Sequence, residues 1–320
     1  MKKKHIGVSA LTVLAVAVVY SVVAYLLFSG RLTRQVSNML IPISVYIVLA
    51  VSLNLVVGLL GELSLGHAGF MSVGLFSGCL VSIALCGTLP MPVRLPLSML
   101  FGGLVAAVFG FVAGLPALRL KGDYLAIVTL ACGEIIKSII TNLPLTGGAL
   151  GLNTGAIYSN AKTLLPYGAA LVLITVIVAL NLKASRHGRA IMAIRDNRIA
   201  AESIGVDVTR YKLTVFMLAA FFAGAAGTLY GHFFANVKAA SFDYNMSIEL
   251  LVIVVLGGMG SVQGSILSAI VLTALPEALR ELADYRMLLY AVVLILVMLA
   301  TNSPALRSLA ARRAGGKEEA

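Results

Sequence analysis

Five ionisable residues stand inside stretches that are otherwise fit for a lipid bilayer: Glu62, His67, Glu134, His232 and Glu249. Charged or titratable groups at membrane depth are costly and point to function by default. Glu62 and His67 sit five apart around a glycine break, and Glu249 opens a second broken segment, with its carboxylate expected near the outer surface. Glu134 has Lys137 three residues on, the spacing of a local ion pair on one helical face. His232 falls close to the end of its apolar run and is expected at the membrane interface. Enzyme chemistry finds no support here. There is no nucleophile beside a base, no His/Cys/Asp/Glu spacing of a metal site, and no Asp/Glu/His chain that makes a proton relay. The phosphate-binding pattern G-x-x-x-x-G-K-[ST] occurs nowhere, since Gly315-Gly316-Lys317 is followed by Glu318. The chain is therefore expected to hydrolyse no ATP itself and to carry no cofactor or metal.

The glycines carry more information than the acids. Gly58-Leu59-Leu60-Gly61-Glu62-Leu63-Ser64-Leu65-Gly66 is echoed by Gly257-Gly258-Met259-Gly260-Ser261-Val262-Gln263-Gly264, each run following an apolar segment rich in Val and Leu. Glycine inside a helix costs about 1 kcal/mol relative to alanine, so both runs are expected to interrupt their helices. A broken helix frees backbone N–H and C=O groups, which a membrane tolerates only when they are buried in protein or line a cavity. Paired interruptions in a weakly repeated chain mark transport folds, with the route at the breaks. The candidate pathway residues are Gly58, Gly61, Glu62, Ser64, Gly66, His67, Gly257, Gly258, Gly260 and Gly264. Taken one at a time, such glycines equally serve close helix packing.

The elements that position these residues follow from composition. The chain has 320 residues, 60% of them hydrophobic and 12% charged, and its mean hydropathy is +1.00. A soluble domain carries about 25% charged residues, and disorder requires low hydrophobicity. Charge-free runs cover His5–Gly30, Gln35–Gly61, Leu63–Val93, Leu95–Leu118, Thr163–Leu182, Leu213–Val237, Leu250–Leu279 and Met287–Leu306, with a ninth apolar unit at Gly122–Asn142. Spanning helices need roughly 20 apolar residues, and the runs are too long for barrel strands. The expected fold is all-α and polytopic, with about eight to ten transmembrane helices, Gly-broken segments and an internal repeat. It is read as one transmembrane domain over 1–320. Cys79, Cys86 and Cys132 lie within apolar runs and are expected as small buried hydrophobes.

The net charge of +11 reports loop topology, with no nucleic-acid partner implied, because cytoplasmic loops retain Lys and Arg. Lys2-Lys3-Lys4 puts the N-terminus inside. Alternation then places Arg119 and Lys121 inside, Leu143–Thr163 outside, and 183–212 inside. That last loop holds seven basic residues: Lys183, Arg186, Arg189, Arg195, Arg198, Arg210 and Lys212. The basic tail 307–320, with Arg307, Arg312, Arg313 and Lys317, belongs inside too. One extra crossing or a re-entrant segment is needed to put it there, and the break at Gly257–Gly264 supplies the place. Within 183–212, residues 189–203 read as one cytoplasmic helix ending at Gly205. Ile191, Ile194, Arg195 and Arg198 share a face continued by Ala201 and Glu202, with Ile191, Ile194 and Ile199 as apolar anchors for a partner.

With these motifs assembled, the chain resembles a permease subunit of the ATP-binding-cassette importers for branched-chain amino acids, of the longer-subunit kind. The resemblance rests on Gly58–Phe70, Tyr124–Ile135, Thr146–Leu152, Gly188–Gly205 and Glu249–Gly264, in that order along the chain. It implies a bacterial inner-membrane location. It also implies a second permease subunit, two cytoplasmic ATP-binding subunits that use the ATP, and a periplasmic substrate-binding protein. Ala200-Ala201-Glu202 and Gly205 are similar to the coupling loop of importer permeases, with the order Ala-Ala-Glu departing from that motif. The residues assigned to coupling are then Ile191, Ile194, Arg195, Arg198, Ala201, Glu202 and Gly205. The same superfamily includes monosaccharide and urea importer permeases, which stay open as alternatives for the solute. A self-sufficient secondary transporter is the alternative of another class, and it requires uptake by this chain alone.

Overall fold

The structure is a computed structural model that describes residues 2–117, 120, 122–278, 292 and 295. The chain divides into two compact units, Met1–Ala269 and Ile270–Ala320. Arg119, Lys121, the apolar run from 287 and the tail 307–320 lie outside the described residues.

Among the described residues, eight helices are long and apolar enough to cross a membrane. The fold is all-α and polytopic. Helix α1 (Lys2–Phe28) is followed by α2 (Arg34–Asn54), which continues as a π-helical turn over Leu55–Leu60. Then come α3 (His67–Ala84), α4 (Met91–Ala117), α5 (Asp123–Asn142) and α6 (Ala161–Ala184). Two short helices, α7 (Arg186–Asp196) and α8 (Arg198–Ser203), precede α9 (Val208–Phe233). The order ends with α10 (Tyr244–Gly257) and α11 (Val262–Ala278). The apolar runs therefore foretell these helices to within a turn or so at most ends.

The centre of the first unit is the packing of α3, α4 and α9, whose contacting faces are rich in Gly, Ala and Ser. Small residues let the backbones approach, as membrane helices require where lipid and side chain are equally apolar. A Cβ added at Gly224 of α9 would stand 2.7 Å from Gly102 O of α4. On the α3 side, Thr228 Oγ of α9 donates to Gly74 O at 2.9 Å. By contrast α1 and α4 leave Leu11, Leu14, Val18, Val22, Leu100, Leu104 and Val108 exposed, the pattern of faces solvated by lipid.

A two-residue ribbon pairs β1 (Leu152–Asn153) antiparallel with β2 (Asn236–Val237), an element absent from the sequence expectations. It ties the segment after α5 to the segment after α9. At the opposite ends of the flanking helices lie the 183–212 segment and the α10–α11 turn, held there by Lys183 Nζ, which donates to Gly260 O at 2.7 Å.

Candidate functional site

Both glycine runs interrupt their helices, each in its own way. The first ends a π-turn, in which N–H groups reach back five residues. Gly61 closes it with φ +79°, a conformation that glycine adopts without steric cost. Residues 61–66 then run as non-helical chain, and α3 begins beside the last turn of α2. The marker is His67, whose Nε2 lies 2.9 Å from Ser52 Oγ. Ser52 stands about 12 Å back from Leu60 at 1.5 Å per residue. The second run is a tight hairpin. Gly264 of α11 packs on the Gly257 backbone of α10, and Ser268 Oγ donates to Ile253 O at 2.7 Å. Gly258 (φ +87°) and Gly260 (φ +81°) make the turn. A Cβ on Gly258 would meet nothing closer than 3.9 Å, so its role is conformational.

The two interruptions meet. Gly260 N–H donates to Asn54 Oδ1 at 2.8 Å, and a Cβ on Gly58 would stand 2.7 Å from Gly260 Cα. Side chains from the 183–212 region close over this junction. Arg195 Nη1 donates to Gly58 O at 3.2 Å, and its other nitrogens engage Asp196 Oδ1 at 3.0 and 3.1 Å. Arg195 also packs its aliphatic stem on Gly61, with Cδ 3.0 Å from where a Cβ would be. Glu62 forms an ion pair with Lys212 at the start of α9, with side-chain exposures of 15% and 5%. Helix breaks leave carbonyls without partners; here Arg195 and Lys183 satisfy Gly58 O and Gly260 O.

Of the ten pathway candidates, Gly58, Gly61, Glu62 and Gly260 thus converge with Arg195. Gly257, Gly258 and Gly264 serve the hairpin. Ser64, Gly66 and His67 lie along the route into the bundle, where Leu65 N–H donates to Thr129 Oγ at 3.0 Å and Ala68 N–H to Ser247 Oγ at 3.3 Å. Ser64 and His67 are buried. Among the described residues, Ser64 Oγ and Glu62 Oε2 find no hydrogen-bond partner.

The 183–212 segment corrects two expectations. It forms two helices, because Asn197 leaves helical geometry (φ −155°, ψ 101°) and caps α8 by accepting from Ala200 N–H at 3.1 Å. Asn is more favourable as a cap than in a helix interior. Ile191 and Ile194 are buried, as is Ala201, and Ile194 and Ala201 pack with Val208 against the start of α9. They hold the segment to its own chain and are not free anchors. Ile199 and Ile204 are the exposed apolar side chains, at 78% and 77%. Arg198 and Glu202 pair at 2.8 Å beside them, and Gly205 turns the chain with φ +83°.

His232, Cys86 and Cys132 differ from expectation, whereas the Glu134–Lys137 pair forms as its spacing predicts. His232 stands one residue before the end of α9 and is nonetheless fully buried, with Nε2 2.7 Å from Ser82 Oγ of α3 and Nδ1 2.8 Å from Thr228 O; the packing of α3 on this last turn covers it. Glu134 pairs with Lys137 and also accepts from Tyr244 N–H at 3.0 Å, so it anchors the start of α10. Cys79 is buried, whereas Cys86 and Cys132 are half-buried. Sequence reading gave no hint of Asn54 or of Thr129, since a polar residue in an apolar run shows no partner until the helices are packed.

At the ribbon end, a cavity of about 250 Å³ is lined by Tyr46, Tyr230, Ser241, Phe242, Asp243, Asn245, Met246 and Glu249. Glu249 stands in the second turn of α10, on the wall of this cavity. None of the ten glycine-run candidates lines this cavity.

Interrupted spanning helices that meet under a basic, two-helix segment define a membrane transport permease. The comparisons agree. The family model for the branched-chain amino acid transport system permease component matches residues 35–300, and the chain belongs to that family. The LivM permease protein of the high-affinity branched-chain amino acid transport system of Salmonella typhimurium is 36% identical over 290 residues, covering 80% of this chain and 66% of that protein. Its Escherichia coli K12 counterpart is 35% identical, with 93% of this chain and 73% of that protein covered. The ribose import permease RbsC of Haemophilus influenzae is 26% identical over 84% of this chain and 85% of its own. No solved structure shows significant similarity to the chain.

Proposed function

We propose that the chain is one of two permease subunits of a binding-protein-dependent importer in the bacterial inner membrane. It translocates branched-chain or related hydrophobic amino acids delivered by a periplasmic binding protein, and separate ATP-binding subunits supply the energy. The N-terminus, 183–212 and the tail 307–320 face the cytoplasm. The whole chain 1–320 serves as one permease domain. The observation that carries this reading is that Arg195 and Lys183 each hold a backbone carbonyl at a helix break. Movement of the basic segment is thereby transmitted to Gly58 and Gly260 without an intermediate.

A motor docking on this segment finds Ile199 and Ile204 as apolar knobs and Arg198 and Glu202 as rim charges. Apolar anchors dominate such binding while rim charges mostly steer it. The test is the complete complex in proteoliposomes. Ile199→Asp and Ile204→Asp are expected to lower binding-protein-stimulated ATP hydrolysis and amino-acid uptake together, with the chain still inserted at wild-type level. Ile194→Asp, at a buried position, is expected to lower the amount of folded chain instead. Undiminished coupling in both exposed-site variants places the motor elsewhere. Uptake by the chain alone, driven by an ion gradient, overturns the importer reading.

A further inference from the structure

We infer that the cavity at the ribbon end is a docking site for a small primary ammonium compound with an apolar side chain, received by the carboxylate of Glu249. The inference rests on the importer reading for its role, and it names the part of the solute that this end of the chain recognises.

The walls come from three places. Tyr46 belongs to α2 and Tyr230 to α9. Ser241, Phe242, Asp243 and Asn245 close the cavity from the α9–α10 connection and the first turn of α10, with Met246 and Glu249 beyond. Ser241 and Asn245 are exposed, so the cavity opens to the surface there. The aromatic wall is well packed. Phe242 is buried, its ring edge-on to Tyr230 at 6.3 Å, and Tyr230 stacks with Phe234 at 4.5 Å.

The two carboxylates differ in what they have left to offer. Asp243 is committed, since Oδ1 accepts from Met246 N–H at 3.2 Å and Oδ2 from Asn245 Nδ2 at 2.8 Å. It caps α10 and shapes the rim. Glu249 is half-buried and faces Tyr230 on the same wall, and none of the ion pairs among the described residues includes it. A carboxylate withdrawn from water is costly unless a cation or donors meet it. A primary ammonium brings both, as three N–H donors on one positive charge, and an aromatic face favours the same cation. The apolar remainder of the wall (Met246, Phe242) suits a hydrocarbon side chain. A sugar brings no positive charge to Glu249, so the site distinguishes the amino-acid solute from the monosaccharide alternative. The volume of about 250 Å³ is enough for one small molecule.

The first test is thiol labelling at the rim. Ser241→Cys is made in a chain whose Cys79, Cys86 and Cys132 are replaced by alanine, and labelling is followed in membrane vesicles without ATP. Millimolar leucine is expected to slow labelling severalfold. Isocaproate, which lacks the ammonium, and ribose are expected to leave the rate unchanged. Adding Glu249→Gln is expected to abolish the protection by leucine. Equal protection by isocaproate or ribose overturns the inference, as does no protection by leucine or protection that survives Glu249→Gln. This arm needs no ATPase, so it stands apart from the importer reading. The second arm is the complete complex, where Glu249→Gln is expected to lower leucine uptake roughly tenfold or more, the loss of one charged hydrogen-bonding contact, while binding-protein-stimulated ATP hydrolysis persists. Wild-type uptake in that variant refutes a role for the carboxylate. Failure of the unmodified complex to couple uptake to ATP refutes the importer reading alone.

Discussion

Lys212→Met isolates the energetics of the junction. Lys212 sits in the first turn of α9 with its side chain 5% exposed, and it pairs with a Glu62 side chain that is 15% exposed. Removing the cation strands a carboxylate whose second oxygen is already without a partner among the described residues. Breaking a buried pair in this way costs about 3–5 kcal/mol, whereas replacing both members by neutral groups of similar volume is often neutral or stabilising. Lys212→Met and Glu62→Gln are therefore expected to destabilise singly, the first by about 3–5 kcal/mol and the second by less, since a lone lysine can extend toward water. The double variant is expected to return to within about 1 kcal/mol of the parent, a coupling of about 3 kcal/mol or more. The assay is a double-variant cycle on the purified chain in mixed micelles. Unfolding by rising dodecyl sulfate would be followed by circular dichroism and tyrosine fluorescence, since the chain has 11 Tyr and no Trp. Single losses below about 1 kcal/mol, or additive losses in the double variant, refute the claim that a desolvated ion pair closes the junction.

Two other expectations follow from the same geometry. Gly58→Ala forces the α10–α11 turn away, since the new Cβ would lie 2.7 Å from Gly260 Cα; a loss of about 1–3 kcal/mol and reduced uptake by the complex are expected, and normal uptake with normal stability refutes the close approach. Cysteines introduced at Ser203 and Asn153, in a background without native thiols, are expected to label from opposite sides of the membrane, and labelling from the same side refutes the proposed orientation.

Much of this architecture was legible because hydrophobic periodicity and run length are local properties. Most helix boundaries and the interruptions at Gly58–Gly61 and Gly257–Gly260 could be read from the chain. What resisted reading depends on partners distant in sequence. Asn54 is one polar residue in an apolar run until Gly260 arrives 206 positions later. His232 looked interfacial because only its distance from the end of the run was visible, and Ser82 lies 150 residues away. The single-helix expectation for 189–203 failed for a local reason. Asn197 carries a side chain that competes with the helical backbone, and it takes the capping geometry. That break also redirects the apolar face, so that Ile194 turns inward while Ile199 is left outward.

The placement of the basic segment explains why two glycine interruptions are useful together. A continuous helix resists bending because every backbone group is already bonded along it. At Gly58 and Gly260 those bonds are replaced by side chains, from Arg195 and Lys183, and both cations belong to the end of α6 or to the α7 helix that follows it. One displacement of this segment would therefore release or retain two helix ends at once, and the Glu62–Lys212 pair ties the chain leading into α3 to the same place. At the buried Gly58 an unpaired carbonyl would cost about 1–3 kcal/mol, a cost that Arg195 offsets. In the importer reading proposed above, a connection of that kind would turn a force applied at the 183–212 segment into a change in backbone bonding within the bundle.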